Sequence, residues 1–360
     1  MFLKAVLRTA ALIPFLYNAA SAQTACNNSP SLCNRAYNNI THLGAHDSPF
    51  LRDKSTSFST SGNQYYDSPT QLDSGVRLLT AQVHKNGNSS TGASQWHLCH
   101  TNCGLLDMGT LSNWLGTIKT WMDNNPNDVV TILLVNSDNA SPAELGSEFK
   151  TAGIDKYAYT PPSLSSVPKQ WPTLQSLISN NTRLMTFVAS LSTPSSDYPW
   201  LMDEFTFIFE NDFNNQSPTD YQCTPARPTS LNNSTSSAAS SGRMFLMNHF
   251  LYNTGLFGIQ TPNSDYANIT NAQTGVGSLG EQLTKCTAVY NKPPTFTIVD
   301  FTNMGPAMES VDKANGVSGA TGRRTLPTVA LNEKVSGGPQ TRGSVLAVVV
   351  AVVVAVAFGS

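Results

Sequence analysis

Charge is what this 360-residue chain has least of. Lys, Arg, Asp and Glu together make up 12% of it, about half of the roughly 25% usual in soluble domains. The signs nearly cancel, with 21 basic against 23 acidic residues and a net charge of −2. That excludes the basic footprint needed to hold nucleic acid and the polybasic patch that grips anionic lipid. No apolar run reaches the about 20 residues of a membrane-spanning helix. The longest, Val345 to Phe358, has fourteen. No internal repeat recurs along the chain, which excludes a solenoid. Ser, Thr and Asn stand where charge is missing. Apolar residues, 40% of the total, recur in short runs throughout, which excludes disorder.

The two ends read as processing signals. Residues 1–22 carry Lys4 and Arg8, an apolar stretch from Ala10 to Leu16, and Ala20-Ser21-Ala22 as a small-residue cleavage site. This is the layout of a secretory signal. At the other end, Ser336-Gly337-Gly338 precedes a polar spacer, Pro339 to Ser344, and then the apolar tail. This is the layout of a GPI-attachment signal, with a short tail anchor as the alternative. The expected product is secreted and held by a lipid anchor on the outer leaflet of the plasma membrane. Residues 314–338, rich in Gly, Ser and Thr, would form a stalk. Residues 339–360 would be removed.

Secretion implies oxidised cysteines. The six are Cys26, Cys33, Cys99, Cys103, Cys223 and Cys286. Short loops favour Cys26–Cys33 and Cys99–Cys103, which leaves Cys223–Cys286. Metal binding by Cys99 and Cys103 with His97 and His100 is the alternative. Nine glycosylation sequons begin at Asn27, Asn39, Asn88, Asn139, Asn180, Asn215, Asn232, Asn233 and Asn268. Each site that is used must lie on the surface.

Short β-branched runs alternate with helical patterns. The runs are 39–43, 76–83, 129–135, 183–188, 205–209, 244–250 and 295–299, with an eighth short strand near 94–98. Several do not alternate polar with apolar, which suggests a parallel sheet buried on both faces. Leu111, Trp114, Leu115, Ile118, Trp121 and Met122 share one face of a helix that Pro126 stops. Ser141 and Glu144 form a capping box, and Ser278 with Glu281 repeats the spacing. Ser230 to Gly242 reads as a surface loop. The pattern predicts an α/β fold, a TIM-type (β/α)8 barrel forming a single domain over 23–313.

In such a barrel the chemistry sits at the carboxyl ends of the strands. There the chain places His46 and Asp47, Gln82 and His84, Asn136 and Asp138, Glu210, Asn248 and His249, and Asp300, with His100 after the short strand. Two histidines, each with a carboxylate partner, suit transfer at a phosphodiester. One accepts a proton from the attacking hydroxyl and the other protonates the leaving oxygen. Gln82, His84, Glu210 and His249 would line the substrate pocket. A glycoside hydrolase on the same fold would need two opposed carboxylates. Asp138 and Glu210 could serve, but no motif marks them.

Five segments resemble one family. Gly44-Ala45-His46-Asp47-Ser48 resembles the G-T-H-D-S start of the phosphatidylinositol-specific phospholipase C X domain. Gln71 to Arg77 resembles its helix-to-strand turn, and Leu98-Cys99-His100 falls where its second histidine lies. Trp121 to Ile132 resembles its helix, Asn-Pro, strand segment. Thr297 to Phe301 resembles its last strand with a buried Asp. The likeness runs from Asn39 to Asn303 and is greatest to the secreted, GPI-anchored PLC-like phosphodiesterases of fungi. It implies His46 as general base with Asp300 orienting it, and His100 as general acid with Asp47. It implies an inositol-lipid-like phosphodiester as substrate; no cofactor or bound metal is expected. One position departs. Calcium-independent members carry Arg where Gln82 falls, and calcium-dependent members carry acidic ligands at the positions of Thr80 and Gln82. The departure leaves a second expectation open: a weakly active or inactive surface protein that binds a head group or glycan.

Overall fold

The computed structural model describes residues 24–87, 94–191, 193–255 and 260–332. The expected secretory signal, the attachment signal and the Asn88 sequon lie outside them. Thirteen strands and nine α-helices follow one another within that range. The strands are β1 (His42–Ala45), β2 (Leu78–Gly87), β3 (Ser94–Cys99), β4 (Asp107–Thr110), β5 (Val130–Asn136), β6 (Leu184–Ala189), β7 (Leu201–Asp203), β8 (Ile208–Asn211), β9 (Pro225–Arg227), β10 (Met244–Asn248), β11 (Tyr252–Thr254), β12 (Gln260–Pro262) and β13 (Phe296–Val299). The helices are α1 (Ser68–Asp73), α2 (Leu111–Asn124), α3 (Pro142–Ala152), α4 (Leu174–Ser179), α5 (Glu204–Phe207), α6 (Thr235–Ser240), α7 (Ala267–Thr270), α8 (Leu279–Tyr290) and α9 (Ala307–Asn315).

Eight strands run parallel in the order β7-β6-β5-β2-β1-β13-β10-β8, and β9 pairs antiparallel on β8. This is the expected barrel, with one irregularity. Among the described residues no ladder joins β7 to β8. The reason is the link between them: only α5, four residues long. Parallel neighbours need a crossover of about a dozen residues or more, so β8 cannot lie against β7. The barrel is open at that seam, and Glu204 sits in it.

Alternation along the strands sorts the core into two layers. Leu78, Leu133, Met185, Phe187, Met202, Ile208, Met244, Leu246, Phe296 and Ile298 fill the barrel. Their neighbours Leu79, Ile132, Leu134, Val188, Phe209, Phe245 and Val299 face the helices. Gly44 has to be glycine. A Cβ there would lie 2.5 Å from Ile298 and 2.9 Å from Leu78. Tyr37, Trp171 and Leu174 close the amino end of the barrel. α2 buries the six residues that the periodicity predicts, and Ser141 and Glu144 form the expected capping box on α3.

Several expectations shift. Residues 37–39 form a 3-10 turn, and β1 starts only at His42. The first half of the 205–209 run is helix α5, because Asp203 caps it by accepting from the Thr206 N–H at 2.8 Å. The short strand near 94–98 is β3, which pairs antiparallel on an extension of β2 and lies outside the barrel. The eighth barrel strand is the three-residue β7. α6 forms inside the expected loop at 230–242.

All three disulfides form as loop length suggests: Cys26–Cys33, Cys99–Cys103 and Cys223–Cys286. With Cys99 and Cys103 joined to each other, the metal alternative falls. Of the segment with stalk-like composition, the part up to Asn332 lies along the barrel. Arg323 pairs with Asp312, Arg324 N–H bonds to Asp73, and Asn303 donates to the carbonyls of Pro327 and Val329. Two sequon asparagines are buried: Asn27 accepts from the Val129 N–H, and Asn215 is folded into its own turn. Asn39, Asn139, Asn180, Asn232, Asn233 and Asn268 are exposed. No helix among the described residues is long and apolar enough to cross a membrane.

Candidate active site

One further step of the same alternation carries each inner row from apolar to polar at the carboxyl end. Gly44 leads to His46, Thr80 to Gln82, Ile208 to Glu210, Leu246 to Asn248 and Ile298 to Asp300. Of the residues that end these rows, all but Asp300, which backs His46, line a cavity of about 170 Å³, together with Asp47, Thr80, Glu204, Arg227, Phe250 and Tyr252, among others.

His46 is the best-supported side chain in it. Its Nδ1 lies 2.9 Å from Asp300 Oδ1, and Asn63 donates to the same oxygen at 2.9 Å. With the Nδ1 hydrogen on Asp300, Nε2 is left free toward Asp47. Phe250 stacks on the ring with centroids 3.7 Å apart and planes 6° from parallel. Burial lowers the His46 pKa, but the charges of Asp47 and Asp300 outweigh it, so the net shift is upward.

Asp47 stands between the two histidines. Its Oδ2 is 3.7 Å from His46 Nε2 and also 3.7 Å from His100 Nε2. Both separations exceed a direct hydrogen bond, so the link is electrostatic. His100 sits on the loop after β3, buried, with its ring edge-on to Phe50. There burial wins over the charge of Asp47, and the pKa falls below the usual histidine value.

The far wall holds a second polar group. Glu210 accepts from Arg227 Nε at 3.1 Å, from Arg227 Nη2 at 2.5 Å and from Asn248 Nδ2 at 3.0 Å. Glu204 is fully buried, and neither of its oxygens meets a donor. Burial, and then the charge of Glu210, raise its pKa well above the usual range. Burial also raises that of Glu210, but Glu204, Arg227 and Asn248 outweigh it and hold Glu210 ionised. Burial and the neighbouring charge of Glu210 thus both favour the protonated form of Glu204.

His46, Asp47, His100 and Asp300 thus come together as expected, and Glu210 and Gln82 line the cavity. His84 and His249 do not. His84 turns to Asp138 at the rim, 3.4 Å away. His249 is fully buried, its Nε2 on the Thr270 carbonyl at 2.9 Å, stacked on Tyr221; burial lowers its pKa to about 4. It is a neutral core residue, because the odd step of β10 points it away from the cavity. Asp138 also lies at the rim, outside the cavity lining, so it does not oppose Glu210 as a glycosidase pair would.

Sequence reasoning missed Asn63, Glu204 and Arg227. Asn63 lies in a loop without a motif. Glu204 reads as the start of an apolar strand. Arg227, the one Lys or Arg among the described lining residues, reaches Glu210 from an edge strand seventeen residues later.

Comparison with known proteins agrees with this geometry. The sequence model of the family described as PI-PLC X 1 matches residues 32–315. A PI-PLC X domain-containing protein of Arthroderma benhamiae is 36% identical over 293 residues, 81% of this chain and 90% of that protein. An uncharacterized secreted protein of the same fungus is 36% identical, over 79% of this chain and 62% of that one. The fold is shared with phosphatidylinositol-specific phospholipase C of Staphylococcus aureus, with a TM-score of 0.55 at 13% identity over 81% of this chain and 97% of that one. The chain belongs to the PI-PLC X domain family, whose fold and chemistry are of the phosphodiesterase type.

Proposed function

We propose that the protein is a secreted phosphodiesterase that cleaves an inositol-lipid-like diester by two-histidine acid–base catalysis. The observation that carries this reading is Asp47 Oδ2, 3.7 Å from each imidazole Nε2, with His46 backed by Asp300. In this reaction the ring hydroxyl next to the phosphate gives its proton to His46 Nε2 and forms a bond to phosphorus. The bond from phosphorus to the lipid oxygen breaks, and His100 supplies a proton to that oxygen. The products are a cyclic phosphate and an alcohol, and the carboxylates hold the rings in place. The site works from the chain's own residues, with no cofactor assigned. The terminal signals and the secreted relative support export, and a lipid anchor at the cell surface would bring the enzyme to its substrate. His46→Ala should remove turnover with the fold intact; equal turnover would rule the mechanism out.

A second reading has its own observation. Gln82, where an Arg would meet the phosphate, has its amide engaged with Asp47 and Thr101. A site without that charge loses a large part of its transition-state stabilisation, and a protein that only binds the head group would look the same. It would bind free inositol saturably and release no product from any inositol diester.

A further inference from the structure

Gln82 faces the cavity from β2. Its Nε2 donates to Asp47 Oδ2 at 2.7 Å, and its Oε1 accepts from the Thr101 N–H at 2.9 Å. The orientation is unambiguous, since a reversed amide would set donor against donor and oxygen against carboxylate. Both residues it holds are in the left-handed region, Asp47 with φ 47° and Thr101 with φ 62°. Side chains other than glycine enter that region only when the surroundings impose it. Thr80, two residues earlier on β2, accepts the Asp47 N–H at 2.8 Å. The Cys99–Cys103 disulfide closes the His100 loop on itself. Gln82 is what ties that loop to the carboxylate between the histidines.

We propose that Gln82 is a positioning residue, which fixes the separation of the two histidines by clamping Asp47 and the His100 loop to the end of β2. It acts through Asp47 and Thr101 rather than by neutralising phosphate. The strand end is thus a scaffold, and Thr80 and Gln82 are its two anchor points. The role rests on the two-histidine reading above.

The test uses Gln82→Leu and Gln82→Glu in the secreted protein. Turnover is followed on a water-soluble inositol phosphodiester, and hydrogen exchange at the Thr101 amide. Gln82→Leu should lower kcat about tenfold or more, the worth of one charged hydrogen bond, with KM within about twofold on the same grounds. Exchange at Thr101 should speed up while the amides of β5 stay protected. Gln82→Glu keeps the acceptor for Thr101 but sets a carboxylate against Asp47. It should keep Thr101 protected, lose turnover at neutral pH and regain it as the pH falls and the new carboxyl gains a donating proton. Wild-type kcat and pH profile in both variants would overturn the proposal, as would a Gln82→Leu loss explained entirely by a lower melting temperature. If the wild-type protein turns over no inositol diester, the two-histidine reading fails. Unchanged Thr101 exchange in Gln82→Leu would then overturn the clamp separately.

Discussion

Replacing Asp300 with Asn removes a charge from the His46 pair and leaves its shape. In the native site the imidazolium formed during proton transfer is held by a charge-assisted bond of 2.9 Å between two largely buried groups. Such bonds contribute about 1.5–3 kcal/mol, against about 0.5–1.5 for neutral ones. The difference is about 1–1.5 kcal/mol, and at about 1.4 kcal/mol per factor of ten turnover should fall roughly tenfold. Which way the new amide faces decides whether the loss stops there. Asn63 Nδ2 donates to the oxygen that faces His46, so the amide should keep its oxygen toward the ring and preserve the tautomer. Removing Asn63 as well lets the NH2 turn inward and forces the other tautomer. In the Ser-His-Asp triad that error costs on the order of 10⁴. Asp300→Asn should therefore be mild, and Asn63→Leu/Asp300→Asn far more than additive. Turnover needs His46 without its proton and His100 with one. Because His46 is shifted up by Asp47 and Asp300 and His100 is shifted down by burial, the rising limb of the pH–rate profile follows the lower, His100 value and the falling limb the higher, His46 value. In Asp300→Asn the falling limb should therefore move to lower pH. The assay is steady-state release of cyclic phosphate from a soluble substrate across pH. An unmoved falling limb, or a double variant no worse than the single one, would refute the assignment of His46 and its partners.

The Glu204–Glu210 pair gives a stability test. Glu204 has a raised folded pKa from burial and from Glu210. Its contribution is present below the unfolded carboxyl pKa and is lost as the pH rises through the folded value. Thermal melts should show the wild type falling below Glu204→Gln as the pH increases, and a constant gap would contradict the upward shift of Glu204. The Cys223–Cys286 bridge spans 63 residues, so replacing both with Ala should cost about 4 kcal/mol by loop entropy, measured by denaturant unfolding. A loss below about 1 kcal/mol would mean that the chain-entropy account does not hold here.

Much of the barrel was legible because its signals are local. The buried runs of β5, β6 and β10, the six-residue face of α2 and the capping box at Ser141 need only neighbours in sequence. Part of the candidate site was legible for a related reason. His46 and Asp300 each lie one alternation past an inner row of their strand. What stayed hidden depends on distant partners. The seam between β7 and β8 follows from a four-residue link whose run, Phe-Thr-Phe-Ile-Phe, has strand propensity until Asp203 caps it. His249 follows an apolar run just as Asn248 does, and only the parity of β10 separates wall from core. Arg227 pairs with Glu210 through a strand that no periodicity marks. The mate of Gln82 is a backbone N–H on another loop, which no pattern of side chains announces.

The central claim is that His46 cleaves an inositol diester in this cavity. The most direct measurement compares secreted protein with its His46→Ala variant, following release of inositol phosphate and cyclic phosphate from phosphatidylinositol and from glycosylated inositol lipids. The account predicts cyclic phosphate from the wild type and none above background from a folded His46→Ala. Equal release from both, or none from the wild type on any of these lipids, would contradict it.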